Sequence, residues 1–557
     1  MTAYTFSDLP LTKKKKSDLT LLLEKHMKYV PGYAMGVVYQ GRLYVYTQGE
    51  TRKGSGLPVR IDTIFHLSSL TKVFTSILVM RLIEKGLLSL QARPTDLLDG
   101  FQFWASSKKK QPITIEHLLA HTSGLYGVFP AFYQGSCMSL RQHVYEELTQ
   151  VRLLPKAECD CFYYSSANYN LLGFICEAVM GRPFDEVLRA EVIEPLGLAD
   201  TGYQYDTYIS SHRMAKGHLA SLRSFSMLPS VADDPRFHPS THLLSSIVDC
   251  AKIACLLCTG MTVDQKAILS EQTISNMMTR RATVYSDRGD HYGLGMSLKG
   301  IDDDIALHEG IGQGYYSKIY IKRCSQCAVV FLSNSQLYGC TSRLTHFLIN
   351  ELNPATPISA PKKELAKVPP ISGWFGADDG FSYRTYFYHR DGRLYVDFYN
   401  IGDCKEEKEV PLQWDRTQNC YYVIVWSERK KVGFVKAGAK DMIFIGGLCF
   451  IPVPTEMRHI SLQQYAGAYQ GCMEMDTSNR VLHITMEDSH CLLSDIDGKL
   501  LRLTPFPGIE HCFSSQAGFV RFHQGENEIS GFTLNYVQFF NRLKESEGEA
   551  EHEQRCS

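Results

Sequence analysis

The alternation of apolar and polar residues divides the chain into helices and short strands. Residues 19–29 follow a helical period, and from Gly32 the chain alternates as a strand does. The runs 34–39 and 43–47 flank Gly41 and predict a hairpin with a glycine turn. A first strand pair is therefore expected ahead of the most apolar helix.

That helix is predicted to begin near Ser69 and to end at Gly86. Apolar residues between 73 and 83 lie around most of its circumference, which is typical of a helix enclosed by its domain. Ser69 and Lys72 stand at its start, and residues at i and i+3 share one helix face. The serine hydroxyl and the lysine amine are therefore expected to lie within hydrogen-bonding reach of each other.

Ser69 and Lys72 can act as a nucleophile and its base. A serine hydroxyl needs a neighbour that takes its proton, and burial lowers the pKa of a lysine so that its amine can do so. N–H groups at the helix start can stabilise an oxyanion. The spacing also occurs by chance, since Ser106 and Ser107 each precede a lysine by three residues in a polar run that we interpret as an inert exposed loop.

Two further stretches carry candidate chemistry. Tyr164 stands just ahead of a second apolar helix, where a phenol can project into a cleft and, near cationic groups, transfer a proton. The alternative is a tyrosine that only packs a loop. A glycine-rich stretch at 308–314 precedes the strand pair 319–321 and 328–332, and such an edge lets a substrate backbone approach closely.

Two sets of residues have metal-ligand spacing. His117 and His121 are four residues apart but have no acidic or cysteine partner nearby in the sequence. The Cys-x-x-Cys pairs at 255–258 and 324–327 fall in an apolar helical run and in a predicted turn. We interpret the cysteines as packing residues and do not expect the histidines to hold a metal, so we predict neither a metal nor a cofactor.

Composition excludes several classes of function. The chain has 557 residues and a mass of 63.0 kDa, so two or three domains are expected. A net charge of −1 gives no footprint for nucleic acid or an anionic membrane, apart from the lysine run 13–16, interpreted as a solvated face. No run approaches the roughly 20 apolar residues of a membrane helix, so we predict no membrane span.

The expected location is the cytoplasm. The first residues lack the apolar core of a signal peptide, and the 17 cysteines are scattered without a disulfide framework. The acidic tail at 545–557 is predicted to be disordered, and its use as an address for export by a non-classical route is left open.

Taken together, the motifs resemble those of the serine β-lactamase and penicillin-binding-protein superfamily, in the branch of class C β-lactamases, D-aminopeptidases, DD-carboxypeptidases and related esterases. The resemblance covers about residues 20–350. It rests on three motifs, namely Ser69-Leu70-Thr71-Lys72 for Ser-x-x-Lys, Tyr164-Ser165-Ser166 for Tyr-x-Asn and His308-Glu309-Gly310 for Lys-Thr-Gly or His-x-Gly. The stretches 121–125 and 195–198 match structural signatures of the same branch.

The resemblance implies a fold and a division of the chain. The catalytic domain would be α/β (α+β), an antiparallel sheet flanked by helices with an all-helical subdomain. Repeated strand patterns after Trp374 and Tyr465 predict two small all-β, barrel-like domains behind it. The predicted segments are a serine hydrolase domain at 1–352, a Pro-rich linker at 353–370, barrel-like domains at 371–456 and 457–544, and the acidic tail at 545–557.

The resemblance also implies the roles of the site residues. Ser69 would be acylated, with Lys72 and Tyr164 as the proton-transfer pair and His308 on the strand beside the cleft. The backbone N–H groups of Ser69 and Ile311 would form the oxyanion hole.

The resemblance assigns two substrate-binding positions, and the sequence departs from the family pattern at Ser166 and His308. Ser166 and Gly310 are the expected substrate-binding positions. Ser166 stands where most members have Asn, which removes an amide that holds Lys72 and the substrate. His308 replaces a lysine that binds a substrate carboxylate, and a histidine is largely neutral at pH 7. Strong turnover of β-lactams is therefore not expected.

Three functional hypotheses follow. The leading one is a serine hydrolase that cleaves an amide, such as a D-amino-acid peptide, or an ester. The others are a penicillin-binding protein or β-lactamase, and a catalytically weak relative that works by assembly or binding. The expected partner is a small-molecule or peptide substrate, with assembly into a homo-oligomer left open. The loops at 126–138 and 207–233, which would set specificity, carry no motif.

Overall fold

The chain divides into two compact units, Met1–Lys362 and Lys363–Ser557, in the computed structural model. The structure describes residues 4–27, 30–103, 112–125, 138–150, 162–220, 225–286, 289–299, 303–335, 339–352, 370–377, 383–400, 405–415, 420–425, 428–437, 440–445, 448–452, 467–471, 481–487, 490–494, 500–505, 512–515, 518–524, 529–534 and 538–542. The Ser106 run, most of the loop at 126–138, nearly all of the predicted linker and the acidic tail lie outside these ranges.

The first unit is built on a nine-stranded sheet. Its strands and those of two small sheets are β1 Tyr4–Thr5, β2 Gly32–Tyr39, β3 Arg42–Gly49, β4 Phe65–His66, β5 His218–Ala220, β6 Phe225–Met227, β7 Leu244–Ser245, β8 Ala282–Ser286, β9 Gly289–Tyr292, β10 Ser297–Lys299, β11 Ile305–Gly312, β12 Tyr315–Lys322 and β13 Cys327–Ser333. The large sheet has the order β1-β3-β2-β13-β12-β11-β10-β9-β8 and is antiparallel except where β1 joins β3. The pairs β4-β7 and β5-β6 stand apart.

Twelve α-helices are described in the same unit. They are α1 Lys13–Met27, α2 Thr71–Glu84, α3 Pro94–Leu97, α4 Ile115–Leu119, α5 Leu140–Gln142, α6 Ser166–Met180, α7 Phe184–Leu188, α8 Glu194–Leu196, α9 Tyr205–Ser210, α10 Ile247–Thr259, α11 Glu271–Met277 and α12 Gly339–Leu352. Short 3₁₀ turns span Phe6–Asp8, Ser68–Leu70, Leu148–Gln150, Pro235–Phe237 and Arg323–Ser325, and π-helical turns span His143–Glu147 and Arg189–Ile193.

Helices cover both faces of the sheet because its strands are apolar on both sides. In β2, Ala34 and Val38 join the core with α10, whereas Met35 and Val37 join the core with α1 and α12. Successive side chains of a strand point to opposite faces, so one strand serves both layers. An antiparallel sheet flanked by helices is the catalytic-domain architecture that the resemblance implied.

The predicted hairpin is confirmed. β2 and β3 pair from Gly32 with Gly49 to Tyr39 with Arg42. Gln40 and Gly41 fill the two-residue turn with φ of 49° and 75°, a conformation that glycine adopts without steric cost.

The second unit is made of strands in the part of the chain that the structure describes. They are β14 Gly373–Ala377, β15 Tyr383–Arg390, β16 Arg393–Asn400, β17 Lys405–Pro411, β18 Gln413–Asp415, β19 Cys420–Val425, β20 Glu428–Ala437, β21 Lys440–Ile445, β22 Leu448–Pro452, β23 Gly467–Gly471, β24 Val481–Glu487, β25 His490–Ser494, β26 Leu500–Pro505, β27 Cys512–Ser515, β28 Gly518–Gln524, β29 Ile529–Leu534 and β30 Gln538–Arg542.

These strands form two antiparallel sets. The first is a nine-stranded sheet in the order β17-β16-β15-β14-β22-β21-β20-β19-β18, with Val396, Val423 and Ile443 in its core. Strands β23 to β30 follow one another in a closed ring, in which β23 also pairs with β30. The division of this unit into two separate barrel-like domains stays a prediction.

None of the helices that the structure describes has the length and apolar character needed to cross a membrane.

Candidate active site

Ser69 lies in a short 3₁₀ turn, Ser68–Leu70, that runs directly into α2. Ser68 has a φ of 48°, which residues other than glycine rarely adopt. Its N–H donates to Nδ1 of His66 at 3.2 Å, and its carbonyl accepts from the Thr71 hydroxyl at 2.7 Å. These two hydrogen bonds hold the turn that carries Ser69, which is itself half-buried.

Lys72 lies in the first turn of α2 and is fully buried, as the apolar circumference of this helix predicts. Its Nζ lies 3.3 Å from Oγ of Ser69, 3.2 Å from Oγ of Ser166 and 3.0 Å from the carbonyl oxygen of Ser240. Burial lowers the pKa of Lys72 to about 7, because desolvation disfavours the ammonium form. A large share of Lys72 is therefore neutral near pH 7.

The three neighbours define what a neutral Lys72 can do. A neutral amine has two N–H donors and one lone pair, whereas a carbonyl can only accept. The Ser240 carbonyl therefore takes one N–H, and the Ser166 hydroxyl can take the other. The lone pair is then available for the proton of the Ser69 hydroxyl, which is the arrangement that general-base activation of a serine requires.

Tyr164 lies immediately ahead of α6 and is half-buried. Its ring centroid is 5.0 Å from Nζ of Lys72, 4.4 Å from the ring of His121 and 6.3 Å from the ring of His308. The structure thus brings the tyrosine and the histidine that the sequence singled out to the same site as Lys72, from three distant parts of the chain.

The strand β11 passes beside the Ser69 turn, and only glycine fits at the point of contact. A Cβ on Gly310 would lie 2.0 Å from the Leu67 carbonyl oxygen, 2.4 Å from Oγ of Ser317 and 2.9 Å from the Leu70 nitrogen. The Ser317 hydroxyl also donates to the Leu67 carbonyl at 2.6 Å, so β12 is tied to the same turn.

His308 and Ile311 lie on this strand, one on each side of the contact. His308 is buried, and Nδ1 of its ring lies 3.0 Å from the Glu309 carbonyl oxygen. Ile311 is half-buried and pairs with Tyr316 of β12. The oxyanion hole of Ser69 and Ile311 stays a prediction.

Gly310→Ala is expected to lower kcat at least about 10²-fold, because its Cβ must push β11 away from the Ser69 turn, and displacements near 1 Å have effects of this size. Gly36→Ala in β2 is the matched control, since its Cβ would meet neighbours no closer than 3.4 Å. Steady-state kinetics and thermal melting of both variants test this. Equal rates for Gly310→Ala and the parent would contradict the tight contact.

The sequence did not reveal three contributors to the site. The Ser240 carbonyl accepts from Lys72 through the backbone, so no side-chain motif marks it. His66 holds the Ser69 turn, but a histidine before an apolar helix carries no signal of its own. For His121 the sequence offers a metal-ligand spacing and a place in the family signature at 121–125, but neither indicates a contact with Tyr164.

The residues with metal-ligand spacing make other contacts. Nδ1 of His117 accepts from the Thr114 N–H at 3.0 Å, and Nδ1 of His121 accepts from the Ser165 N–H at 3.1 Å. Cys258 and Cys327 are buried free thiols, and burial raises the pKa of Cys327 to about 12. Within the described ranges, no three His, Cys, Asp or Glu side chains are grouped so as to hold a metal ion.

Relatives of known sequence include penicillin-binding proteins and an esterase. "Penicillin-binding protein 4" of Amycolatopsis lactamdurans is 27% identical over 328 residues, which are 55% of this chain and 81% of that protein. "Esterase EstB" of Burkholderia gladioli is 32% identical over 173 residues, which are 29% of this chain and 44% of that protein.

Solved structures share the fold over most of the chain. The octameric penicillin-binding protein homologue from Pyrococcus abyssi is 19% identical, with a TM-score of 0.52 over 79% of this chain and 99% of that one. SurE with D-Leu is 21% identical, with a TM-score of 0.57 over 79% of this chain and 99% of that one.

The family model described as Beta-lactamase matches residues 19–346, which is more than half of the chain and holds every residue of the site described above. The chain therefore belongs to the Beta-lactamase family of serine β-lactamases, penicillin-binding proteins and related hydrolases.

Proposed function

We propose that this protein is a serine hydrolase that forms an acyl-enzyme on Ser69 and cleaves an amide or an ester. The observation that carries the proposal is the position of Lys72, whose buried Nζ lies 3.3 Å from the Ser69 hydroxyl with a pKa lowered to about 7. A lysine with these properties is a base able to activate the hydroxyl near neutral pH.

In the first half of the reaction, neutral Lys72 takes the proton of the Ser69 hydroxyl as its oxygen attacks the substrate carbonyl carbon. The carbonyl oxygen becomes an oxyanion, which the backbone N–H groups of Ser69 and Ile311 are proposed to stabilise. When the oxyanion collapses, the C–N or C–O bond to the leaving group breaks, and Tyr164, whose ring lies 5.0 Å from Nζ of Lys72, is the proposed donor of a proton to that group. In the second half, water attacks the acyl-enzyme and the proton transfers run in reverse.

His308 favours substrates without a carboxylate beside the scissile bond. It stands where penicillin-recognising relatives have a lysine, and an imidazole lacks the fixed positive charge with which a lysine attracts an anion. We therefore propose neutral-ended esters and amides as the substrate class, with D-amino-acid amides among them. The esterase relative supports the ester part of this class. The likeness of fold to a protein solved with D-Leu supports the D-amino-acid part.

A panel of chromogenic p-nitrophenyl esters, L-amides and D-amides tests the proposal, with Ser69→Ala as the blank. Turnover of at least one class by the parent and none by the variant is the expected result. A parent without activity on any member, or a variant equal to the parent, would contradict it.

The rate is expected to fall in acid as Lys72 becomes protonated. Its pKa is lowered to about 7, so the neutral base is lost as pH falls through that value, and log kcat/KM should drop by one per pH unit below it. The pH profile of a p-nitrophenyl ester between about pH 5 and 9 measures this. His308→Gln should keep the acid limb, and its disappearance in that variant would assign the limb to His308 instead of Lys72.

Self-association and a cytoplasmic location are further parts of this proposal. The homologue from Pyrococcus abyssi is octameric, and light scattering of the purified full chain would give the assembly state here.

A further inference from the structure

His121 forms hydrogen bonds with the backbone on both sides of Tyr164. The Tyr163 N–H donates to the His121 carbonyl oxygen at 2.7 Å, and the Ser165 N–H donates to Nδ1 of the His121 ring at 3.1 Å. The same Nδ1 lies 3.1 Å from Nδ2 of Asn168, in the first turn of α6. One residue thus fixes the chain before Tyr164, after it, and at the helix that follows.

The ring of His121 also packs directly on the ring of Tyr164. Their centroids are 4.4 Å apart with planes tilted by 37°. The rings of Phe162, Tyr169 and Tyr292 surround the same imidazole at 5.8, 5.1 and 5.1 Å. Tyr164 is therefore held by its backbone neighbours and by its own ring.

These contacts require a neutral imidazole with its proton on Nε2. Nδ1 accepts from a backbone N–H, so it cannot carry a proton of its own. Burial lowers the pKa of His121 well below its ordinary value, and positive charge on Lys72 or His308 would act in the same direction. The other titratable groups that face the ring are the phenols of Tyr164, Tyr169 and Tyr292, and burial raises the pKa of Tyr169 and Tyr292 above its ordinary value.

The backbone of His121 is strained in a way that limits what can replace it. Its φ is 57°, in the left-handed region that glycine adopts freely and that other residues rarely adopt, asparagine, aspartate and histidine being the most tolerant of them. Holding a histidine in this conformation has a cost, and such strain persists only where surrounding contacts impose it. Here those contacts are the ones that fix Tyr164.

We infer that His121 is a positioning residue for Tyr164, which it holds in place for proton transfer through the acceptor atom Nδ1. This inference rests on the proposed function, because it assigns Tyr164 a part in the same reaction. The competing explanation is that His121 only stabilises the fold, in which case its loss would act on the enzyme independently of Tyr164.

Two substitutions of His121 distinguish the effect of losing the acceptor atom from the effect of the strained backbone. His121→Asn keeps an acceptor oxygen near the position of Nδ1, whereas His121→Gly removes it. Both variants lose the ring contact with Tyr164 and both residues tolerate the left-handed φ, so the difference between them reports the acceptor atom. With p-nitrophenyl butyrate as the probe, His121→Gly is expected to lower kcat/KM by about 10–100-fold, as small misplacements of catalytic groups do. His121→Asn is expected to stay within about threefold of the parent.

A double-mutant cycle then tests whether the effect passes through Tyr164. In a Tyr164→Phe background the hydroxyl is already absent, so adding His121→Gly should lower the rate by no more than about threefold. If the fold-losses in kcat/KM of the two single variants multiply in the double variant, the inference is overturned. A His121→Asn enzyme as slow as His121→Gly would overturn it as well. If His121→Gly has no cooperative melting transition, His121→Asn decides alone, and a loss as large as that of Tyr164→Phe overturns it.

The outcome is distinct from a failure of the proposed function. If Ser69→Ala still hydrolyses p-nitrophenyl butyrate at the parent rate, the assignment of Ser69 as the nucleophile is wrong and the proposed function fails with it. If Ser69→Ala abolishes turnover but the cycle is multiplicative, only the role of His121 falls.

Discussion

Ser69→Ala is expected to lower the turnover of a p-nitrophenyl ester at least about 10⁴-fold while the protein remains folded. The variant removes the only atom that the proposed mechanism acylates, and a methyl group at this half-buried position disturbs little packing. The measurement is the steady-state rate together with the thermal midpoint of both proteins.

Ser106→Ala is the matched control for this experiment. Ser106 also has a lysine three residues later, so it shares the Ser-x-x-Lys spacing, and the sequence predicts that it lies in an exposed loop. Its turnover is expected to equal that of the parent. Loss of activity in Ser106→Ala together with retention in Ser69→Ala would move the nucleophile to the other motif.

Lys72→Met and Tyr164→Phe are each expected to lower kcat by about 10²–10⁴-fold, the usual contribution of a positioned acid or base. Met fills the volume of the buried lysine stem without its amine, and Phe keeps the ring that packs on His121. Both variants should therefore stay folded, with the loss confined to the rate.

The two variants should also differ in their response to pH. Lys72→Met removes the group whose pKa is lowered to about 7, so the acid limb should vanish from its residual rate, whereas Tyr164→Phe should keep it. Rates within about threefold of the parent in both variants, with unchanged melting, would refute the assignment of proton transfer.

Local periodicity made much of the first unit predictable. The apolar circumference of 73–83 predicts a buried helix, and α2 is enclosed with Lys72 fully buried in its first turn. The glycine turn predicts the hairpin that β2 and β3 form. In both cases the signal lies within a few residues of the structure that it predicts.

Contacts between distant segments were not predictable in the same way. The Ser240 carbonyl reaches Lys72 across 168 positions of the chain, and a backbone oxygen leaves no trace in the side-chain pattern. The hydrogen bonds that His121 makes beside Tyr164 depend on its left-handed backbone and join His121 to Ser165, 44 positions later in the chain. Such features follow from tertiary packing, which a single sequence does not encode in readable motifs.

The glycines illustrate both cases. Gly41 was readable as a turn because its neighbours alternate as strands on either side. Gly310 is marked in the sequence by the family motif and by a glycine-rich stretch, but the reason for a glycine there is a contact with Leu67 and Ser317. The physical requirement became visible only when β11 and the Ser69 turn were seen side by side.

The central claim is that the substrate acylates Oγ of Ser69, and peptide mapping tests this most directly. The parent is incubated with a fluorophosphonate that labels activated serines, digested, and sequenced by mass spectrometry. We predict one adduct per chain, on the peptide that contains Ser69, and a labelling rate that Lys72→Met reduces by about 10²-fold or more. A modified serine elsewhere, or an active enzyme that takes up no label at Ser69, would contradict the account.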